Sequence, residues 1–241
     1  MSSYEQKDLP QCWQDYFTAI NAGIDRVILY GAPGTGKTYA GLTYGVGECG
    51  SFRLTCSEEM TVSQVSGMWR PHRGEFLFQK GEALNAWLGN GQVGGRVVVD
   101  EVDKASGDVL GELLNFLDST ASSSLRDPDP GEVYRPKAGF SAVMTSNIEH
   151  PDELPVALRD RFPVAIKIDT PHPQALEVLP PRLRSVAVGL VTAEGNRRAS
   201  LRAFYAFNQM LSNGVDNDTA SRLAFGEKRA KAIAEALAIA E

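Results

Sequence analysis

The stretch Arg26-Val27-Ile28-Leu29-Tyr30-Gly31-Ala32-Pro33-Gly34-Thr35-Gly36-Lys37-Thr38 decides how the rest of this chain is read. Its first five residues form a near-continuous apolar run that stops at a glycine, the pattern of a strand buried on both faces of a parallel sheet. Its last eight fit GxxxxGK[ST], and they stand after a strand and at the opening of a helix that begins near Lys37. Glycines let the backbone wrap around a phosphate without Cβ clashes. Successive N–H groups and the helix N-terminus turn positive dipole ends toward the anion. A loop that served only as a turn would need neither the lysine nor the threonine. Lys37 is placed to reach the β- and γ-phosphates of a nucleotide, and the Thr38 hydroxyl to ligate magnesium.

Downstream, Val97-Val98-Val99-Asp100-Glu101 reads as a second buried strand, ending abruptly in two carboxylates. Two such groups at the end of an apolar run are costly unless a cation or a reaction needs them. Asp100 is placed to hold the hydrated magnesium, directly or through water. Glu101, one residue further, can polarise a water for in-line attack on the γ-phosphate.

Apolar runs recur at Phe52–Thr55, Arg96–Val99, Phe140–Thr145 and Val164–Ile168, with helical patterns at Glu82–Leu88 and Val109–Leu117. Strands alternating with helices predict a parallel sheet covered on both faces, an α/β fold. Ahead of the first strand, Trp13, Tyr16, Phe17 and Ile20 stand at helical spacing and Gly23 follows where a C-terminal cap belongs. After Thr170 the strand pattern stops, and Pro171, Pro173, Pro180 and Pro181 mark a boundary. Leu183–Leu190, Ala199–Leu211 and Asp218–Ala240 then read as helices. The expected organisation is an N-terminal helix over 1–25, an α/β core over 26–170 and a small all-α domain over 171–241.

The chain of 241 residues has 24 Lys and Arg against 30 Asp and Glu, a net charge of -6. That balance gives no long-range attraction for phosphodiester backbones and counts against nucleic acid as the main partner. The three cysteines, Cys12, Cys49 and Cys56, show neither CxxC spacing nor an even count, and they read as buried free thiols. A polar N-terminus with Glu5, Lys7 and Asp8, and no apolar run of membrane-spanning length, predict a cytoplasmic protein. His72, His150 and His172 are scattered, with no i+4 pairing or adjacent cysteine to build a metal site.

The pairing of GAPGTGKT with VVVDEVDKA resembles an AAA+ ATPase. Val143-Met144-Thr145-Ser146-Asn147 at a strand end and Leu154-Pro155-Val156-Ala157-Leu158-Arg159-Asp160-Arg161-Phe162 extend the resemblance over most of residues 26–170. It is closest to the MoxR-type and dynein-related, midasin-like branch, in which a hairpin is inserted after the second strand. Gly67-Met68-Trp69-Arg70 through Gly74-Glu75-Phe76-Leu77-Phe78-Gln79-Lys80-Gly81 is similar to that insertion. The resemblance implies a P-loop NTPase core, a three-layer αβα sandwich on a parallel five-stranded sheet, followed by a helical lid. It implies ATP and Mg2+ as cofactors and a homo-oligomeric ring, six subunits in the family's usual form. It also implies a protein substrate or adaptor, which in such relatives is often a von Willebrand-type domain protein.

Carried over by position, Asn147 is similar to the sensor that orients the attacking water, a task an amide suits because it accepts and donates at once. Arg161 resembles the arginine finger that enters a neighbouring subunit's site, where a guanidinium spreads charge stabilisation over the γ-phosphoryl oxygens. Arg159 is its rival, and both also fit a solvated helix end. Arg198 resembles the second sensor, which touches the phosphates from the lid. Asn196 and Arg197 replace the family's usual small residue and proline ahead of it, which leaves Arg197 and Arg202 open as alternatives. Trp69, Phe76 and Phe78 fit either an exposed grip on a partner chain or core aromatics. Ser122–Gly139 fits a flexible pore-facing hairpin or a plain surface loop.

A ring ATPase that remodels or activates a protein partner is the leading expectation. A nucleic-acid-linked or restriction-type NTPase is the alternative that Arg70, His72, Arg73 and Lys80 keep open. A small-molecule kinase on the same phosphate loop fits less well, because Glu101 and Asn147 suit water as the acceptor.

Overall fold

A computed structural model describes residues 8–126, 133–193, 195, 198–231 and 233. In chain order its first elements are α1 (Gln11–Asn21), β1 (Arg26–Tyr30), α2 (Lys37–Thr43), β2 (Ser51–Thr55), α3 (Val62–Val65), β3 (Gly67–His72), β4 (Glu75–Lys80) and α4 (Glu82–Leu88). Then follow β5 (Arg96–Asp100), α5 (Gly107–Phe116), β6 (Leu125–Arg126), β7 (Val133–Tyr134), β8 (Ser141–Ser146), α6 (Val156–Arg161) and β9 (Val164–Lys167). The remaining helices are α7 (Pro173–Glu177), α8 (Pro181–Val191), α9 (Leu201–Ser212) and α10 (Asn217–Phe225).

The five apolar runs form one parallel sheet in the order β2-β5-β8-β1-β9. Val27, Ile28 and Leu29 of β1 and Val97, Val98 and Val99 of β5 are fully buried, as strands flanked by neighbours and covered on both faces should be. Each such side chain contributes about 1.5–3 kcal/mol when it leaves water. Because the strands are parallel, their C-terminal ends lie along one edge, with Tyr30 beside Ser146, Val99 beside Met144 and Thr55 beside Asp100. Ligands of open α/β sheets bind along such an edge, so the strand order decides which side chains meet there.

Two buried arginines tie the helices to this sheet. Arg96, at the start of β5, donates to the carbonyls of Gly41, Tyr44 and Gly45 and so satisfies the C-terminal end of α2, the helix after the phosphate loop. Arg26 does the same for α5, donating to Leu117 O at 3.2 Å and Asp118 O at 3.0 Å beneath the ring of Phe140. Trp87 packs on Phe116 with ring centroids 4.2 Å apart, at the centre of the apolar core.

Two ribbons stand apart from the sheet. β3 and β4 pair antiparallel around the two-residue loop Arg73-Gly74, where both residues have positive φ, as the tightest hairpin loops require. β6 and β7 form a short ladder. Its connection, with Asp127, Pro128, Asp129, Pro130 and Gly131 of the expected pore-facing hairpin, lies outside the described residues.

The chain divides into two compact units. One holds Asp15–Gly31 and Lys37–Lys167, the other Met1–Gln14, Ala32–Gly36 and Ile168–Glu241. The second unit has its own core, in which Phe225 lies against Phe204 and Phe207 with Leu183, Ala187, Val191 and Ala220 around them. Trp13 belongs to it as well, fully buried, with its indole N–H donating to Thr170 O at 2.8 Å and its ring edge-on to His172. The expected single helix from Asp218 to Ala240 is corrected here: α10 ends at Phe225. Gly226, with φ 79°, breaks it before a further helical turn at 227–231. Residues 232 and 234–240 of that expectation lie outside the described residues. Among the described residues, no helix is long and apolar enough to cross a membrane.

Candidate functional site

In the loop between β1 and α2, Gly31, Gly34 and Gly36 have φ of 119°, 82° and 104°, all in the left-handed half of φ space. A side chain at any of them would be strained, so the loop's wrapped path needs glycine there. Thr35 is buried, and its hydroxyl donates to Ala32 O at 3.0 Å, closing the loop on itself. Pro33 at the tip is exposed and Ala32 half-buried.

Lys37 begins α2 and is buried, an expensive place for an ammonium unless it is paired. Its Nζ donates to Gly31 O at 2.8 Å and to Asn147 Oδ1 at 3.2 Å. Asn147, just beyond β8, donates in turn from Nδ2 to Glu101 Oε1 at 3.5 Å. One amide thus joins the loop lysine to Glu101, the carboxylate just past β5, using both of its hydrogen-bonding functions.

Asp100 sits at the buried end of β5. Its Oδ1 accepts from the Thr38 hydroxyl at 2.8 Å and from the Thr145 hydroxyl in a very short bond; its Oδ2 meets Arg53 Nη2 at 2.5 Å. Burial alone pushes the carboxyl pKa up, but the bonds from Thr145, Thr38 and Arg53 outweigh it and hold the group below the usual carboxylate range. Asp100 is therefore ionised at neutral pH. Glu101 departs from the strand path at φ 56°, ψ 44°. Among the described residues, only it and Arg73 take positive φ without being glycine. A strained residue at the end of a catalytic-looking strand is held there by its surroundings. Glu101 Oε2 pairs with Lys104 Nζ at 2.6 Å, and Lys104 is held protonated by that hydrogen bond. Ser146 donates to Asp103 in another very short bond. Nearby, burial and then the charges of Asp100, Asp103 and Glu101 push the Cys56 thiol up to about 12, so it is inert rather than nucleophilic.

Lys37, Thr38, Asp100, Glu101 and Asn147 are brought together. Arg159 and Arg161 bond elsewhere. Arg161 is engaged at all three guanidinium nitrogens, with Leu114 O at 3.0 Å, Ala157 O at 2.9 Å and Asp118 Oδ2 at 3.0 Å. Arg159 reaches exposed Asp152 at 2.6 Å, while its buried Nε has no hydrogen-bond partner. Arg198 is half-buried ahead of α9, Arg202 is exposed within it, and Arg197 lies outside the described residues. Ser200 caps α9 by accepting from Ala203 N. A Cβ added at Gly34 would stand 3.5 Å from Ser200 Cβ and 3.4 Å from Leu201 N, so the helix N-terminus abuts the loop tip.

The hairpin of β3 and β4 sorts its side chains by register. Trp69 faces Phe78 and Pro71 faces Phe76 on one side, with Trp69 45% and Phe76 72% exposed. Phe78 packs partly against the core. The expected alternatives thus divide within one ribbon: Trp69 and Phe76 are surface aromatics, and Phe78 is anchored.

Sequence reasoning missed Arg53, Thr145 and Lys104. Lys104 carried a signal, since it follows Glu101 by three residues, a spacing that lets side chains meet in a helical turn. Arg53 and Thr145 carried none, because their closeness to Asp100 follows from strand order.

The family model for the AAA domain of the dynein-related subfamily matches residues 26–162. A crystal structure of a candidate ATPase from Cytophaga hutchinsonii is similar to this chain with a TM-score of 0.47 and 17% identity. The likeness covers 91% of this chain and 66% of that one, so this chain spans less than two thirds of its length. No curated protein matches the sequence.

Proposed function

The chain belongs to the dynein-related subfamily of AAA domains, and from that premise we propose that it binds Mg-ATP at Gly31–Thr38 and hydrolyses it. The observation that carries this reading is the bonded set on the C-terminal sheet edge. There Thr38 meets Asp100, and Lys37 meets Glu101 through Asn147.

The donor set fits magnesium. Thr38 and Asp100 present two hard oxygens 2.8 Å apart, and among the described residues no cluster of three or more His, Cys, Asp or Glu side chains could hold a metal without help. An ion held by one or two protein oxygens, with phosphates and water completing its shell, is what such a pair serves. When bound, magnesium would be held by Thr38 and Asp100 and would supply positive charge against that of the phosphates.

The chain's own residues then divide the work. Main-chain amides of Gly34, Thr35 and Gly36 face the phosphates, with Ala32 and Pro33 shaping the approach to them, and Lys37 exchanges Gly31 O for phosphate oxygens. Glu101 takes the proton of the attacking water, and Asn147 orients that water beside it. Arg198 approaches the phosphates from the N-terminal end of α9. Arg159 or Arg161 supplies the guanidinium to a neighbouring subunit's site. Members of this family commonly oligomerise, which supports a ring, six-membered in our reading. The work of that ring would be to remodel or activate a protein partner or adaptor, in the manner of a MoxR-type chaperone. The exposed Met68, Trp69, Phe76 and Leu77 of the hairpin suit a grip on such a partner.

A second reading, a nucleic-acid-linked NTPase, is favoured by Arg70, Arg73 and Lys80 beside those aromatics on the same ribbon. The test is phosphate release from ATP with no added acceptor. A rate per subunit that rises with protein concentration supports the oligomeric ATPase. Strict dependence on a small acceptor would overturn it in favour of a kinase, and stimulation by single-stranded DNA that fades steeply with salt would favour the second reading.

A further inference from the structure

We propose that Arg53 is a resident counter-cation for Asp100, neutralising that carboxylate in the metal-free protein and competing with the divalent ion the same carboxylate serves. The inference rests on the nucleotide site proposed above and adds a residue that no motif contains.

Arg53 lies on β2, the edge strand beside β5, opposite Val98 and diagonal to Asp100. Alternation along the strand puts Arg53, Val98 and Asp100 on one face of the sheet. The guanidinium is half-exposed and reaches a carboxylate that is only 8% exposed. The two oxygens of Asp100 are served differently. Oδ1 is already oriented by two hydroxyls, from Thr38 and Thr145, so the carboxylate keeps its direction without Arg53. Oδ2 has Arg53 alone among these partners, so what the arginine adds is charge. Every acidic group of this strand end has its own partner: Glu101 has Lys104, Asp103 has the Ser146 hydroxyl, and Asp100 has Arg53. Without the arginine, Asp100 would be a buried carboxylate held by hydroxyls alone, an unfavourable state until a cation arrives. With the arginine, an arriving divalent ion meets a site already compensated. Like charges repel across these few ångströms, and half-exposure of the guanidinium tempers the repulsion. Solvent also gives the side chain room to turn away. A plain edge-strand charge, placed to discourage strand pairing, is the rival account and predicts no influence on metal binding.

The test compares wild type with Arg53→Gln and Arg53→Lys. Mn2+ binding is measured by the loss of its free-ion EPR signal, with a non-hydrolysable ATP analogue present, and melting is measured in EDTA without nucleotide. We expect Arg53→Gln to tighten Mn2+ binding about tenfold and to lower the melting midpoint in EDTA by about 2–4 °C. Arg53→Lys should stay close to wild type in both. In an Asp100→Asn background the melting effect should vanish, so that adding Arg53→Gln there costs nothing. Unchanged or weaker Mn2+ binding in Arg53→Gln, with wild type binding normally, would overturn the proposal, as would an unchanged melting midpoint. Wild-type protein that takes up no Mn2+ with the analogue would overturn the nucleotide site instead, and the melting comparison would still judge the pairing of Arg53 with Asp100.

Discussion

The C-terminal edge of the sheet and the segment from Pro151 to Arg161 both carry charged side chains that the family resemblance assigns to the same reaction, yet they are built in opposite ways. At the sheet edge, residues from four separate stretches bond to one another: Lys37 with Asn147, Asn147 with Glu101, Thr38 and Thr145 with Asp100, and Arg53 with Asp100 again. Every one of these contacts joins two different elements, and none of them stabilises a local turn. In the second segment the two arginines bond neither each other nor that cluster: Arg161 bonds the carbonyls of Leu114 and Ala157 and the Asp118 carboxylate, and Arg159 bonds Asp152. The first region is a set of groups aimed at a common point, already assembled within one chain. The second holds its guanidinium groups at the end of α5 and at the surface, so any reaction it serves must be someone else's or must follow a rearrangement.

The hardest way to break that contrast is at Glu101. Its strained backbone and its bond from Asn147 serve no packing purpose, so Glu101→Gln should leave the fold and ATP binding intact. It should lower turnover by about 10²–10⁴-fold, the scale of a lost general base. Steady-state phosphate release and a fluorescent-nucleotide titration, run on the same protein, separate the two. A variant that turns over normally would remove the acidic edge from the chemistry. Next in size is Lys37→Ala, which should weaken nucleotide binding by about 100-fold, the scale of removing one partner of a buried charge pair. Because Lys37 is buried against Gly31 O, its melting midpoint without nucleotide should be recorded alongside. Weak binding with an unchanged midpoint places the effect on the phosphate.

How much of this was legible before any coordinates follows from what each feature depends on. The strand–loop–helix around Gly31–Thr38 was readable because its physics is local: positive φ needs glycine, and a continuous apolar run needs a strand buried on both sides. The α/β class was readable for the same reason, since Val97-Val98-Val99 has no polar face to show solvent. Arg53 was not, because its meeting with Asp100 requires β5 to lie between β2 and β8, an order that sequence neighbours do not reveal. Thr145 was quoted only as part of a strand end, though its hydroxyl bonds Asp100 while Asn147 bonds Lys37 and Glu101. The alanine-rich tail misled for an opposite reason. Good helix formers resume at Glu227, but Gly226 at φ 79° and the burial of Phe225 against Phe204 and Phe207 end α10 before them. The ribbon aromatics were ambiguous because alternation alone does not say which face is covered.

The two arginines of the second segment, only two residues apart, can be sharpened by stability alone, and here the expected effects are smallest. Arg161 gives up three bonds when truncated, two of them to carbonyls and one to Asp118, whose carboxyl is held low first by the Ser119 backbone N–H and further by Arg161 itself. Arg161→Ala should cost about 1–3 kcal/mol and lower the melting midpoint on the order of 5 °C. Arg159 offers one bond to a well-exposed aspartate and carries a buried Nε with no partner, a desolvation cost that its removal would relieve. Arg159→Ala should therefore change stability by less than about 1 kcal/mol in either direction. A residue that costs the fold something and holds nothing in place is the better candidate to act outside its own subunit. If melting instead ranked Arg159 above Arg161, the division of labour drawn from their bonds would reverse, and Arg161 would become the guanidinium free to leave.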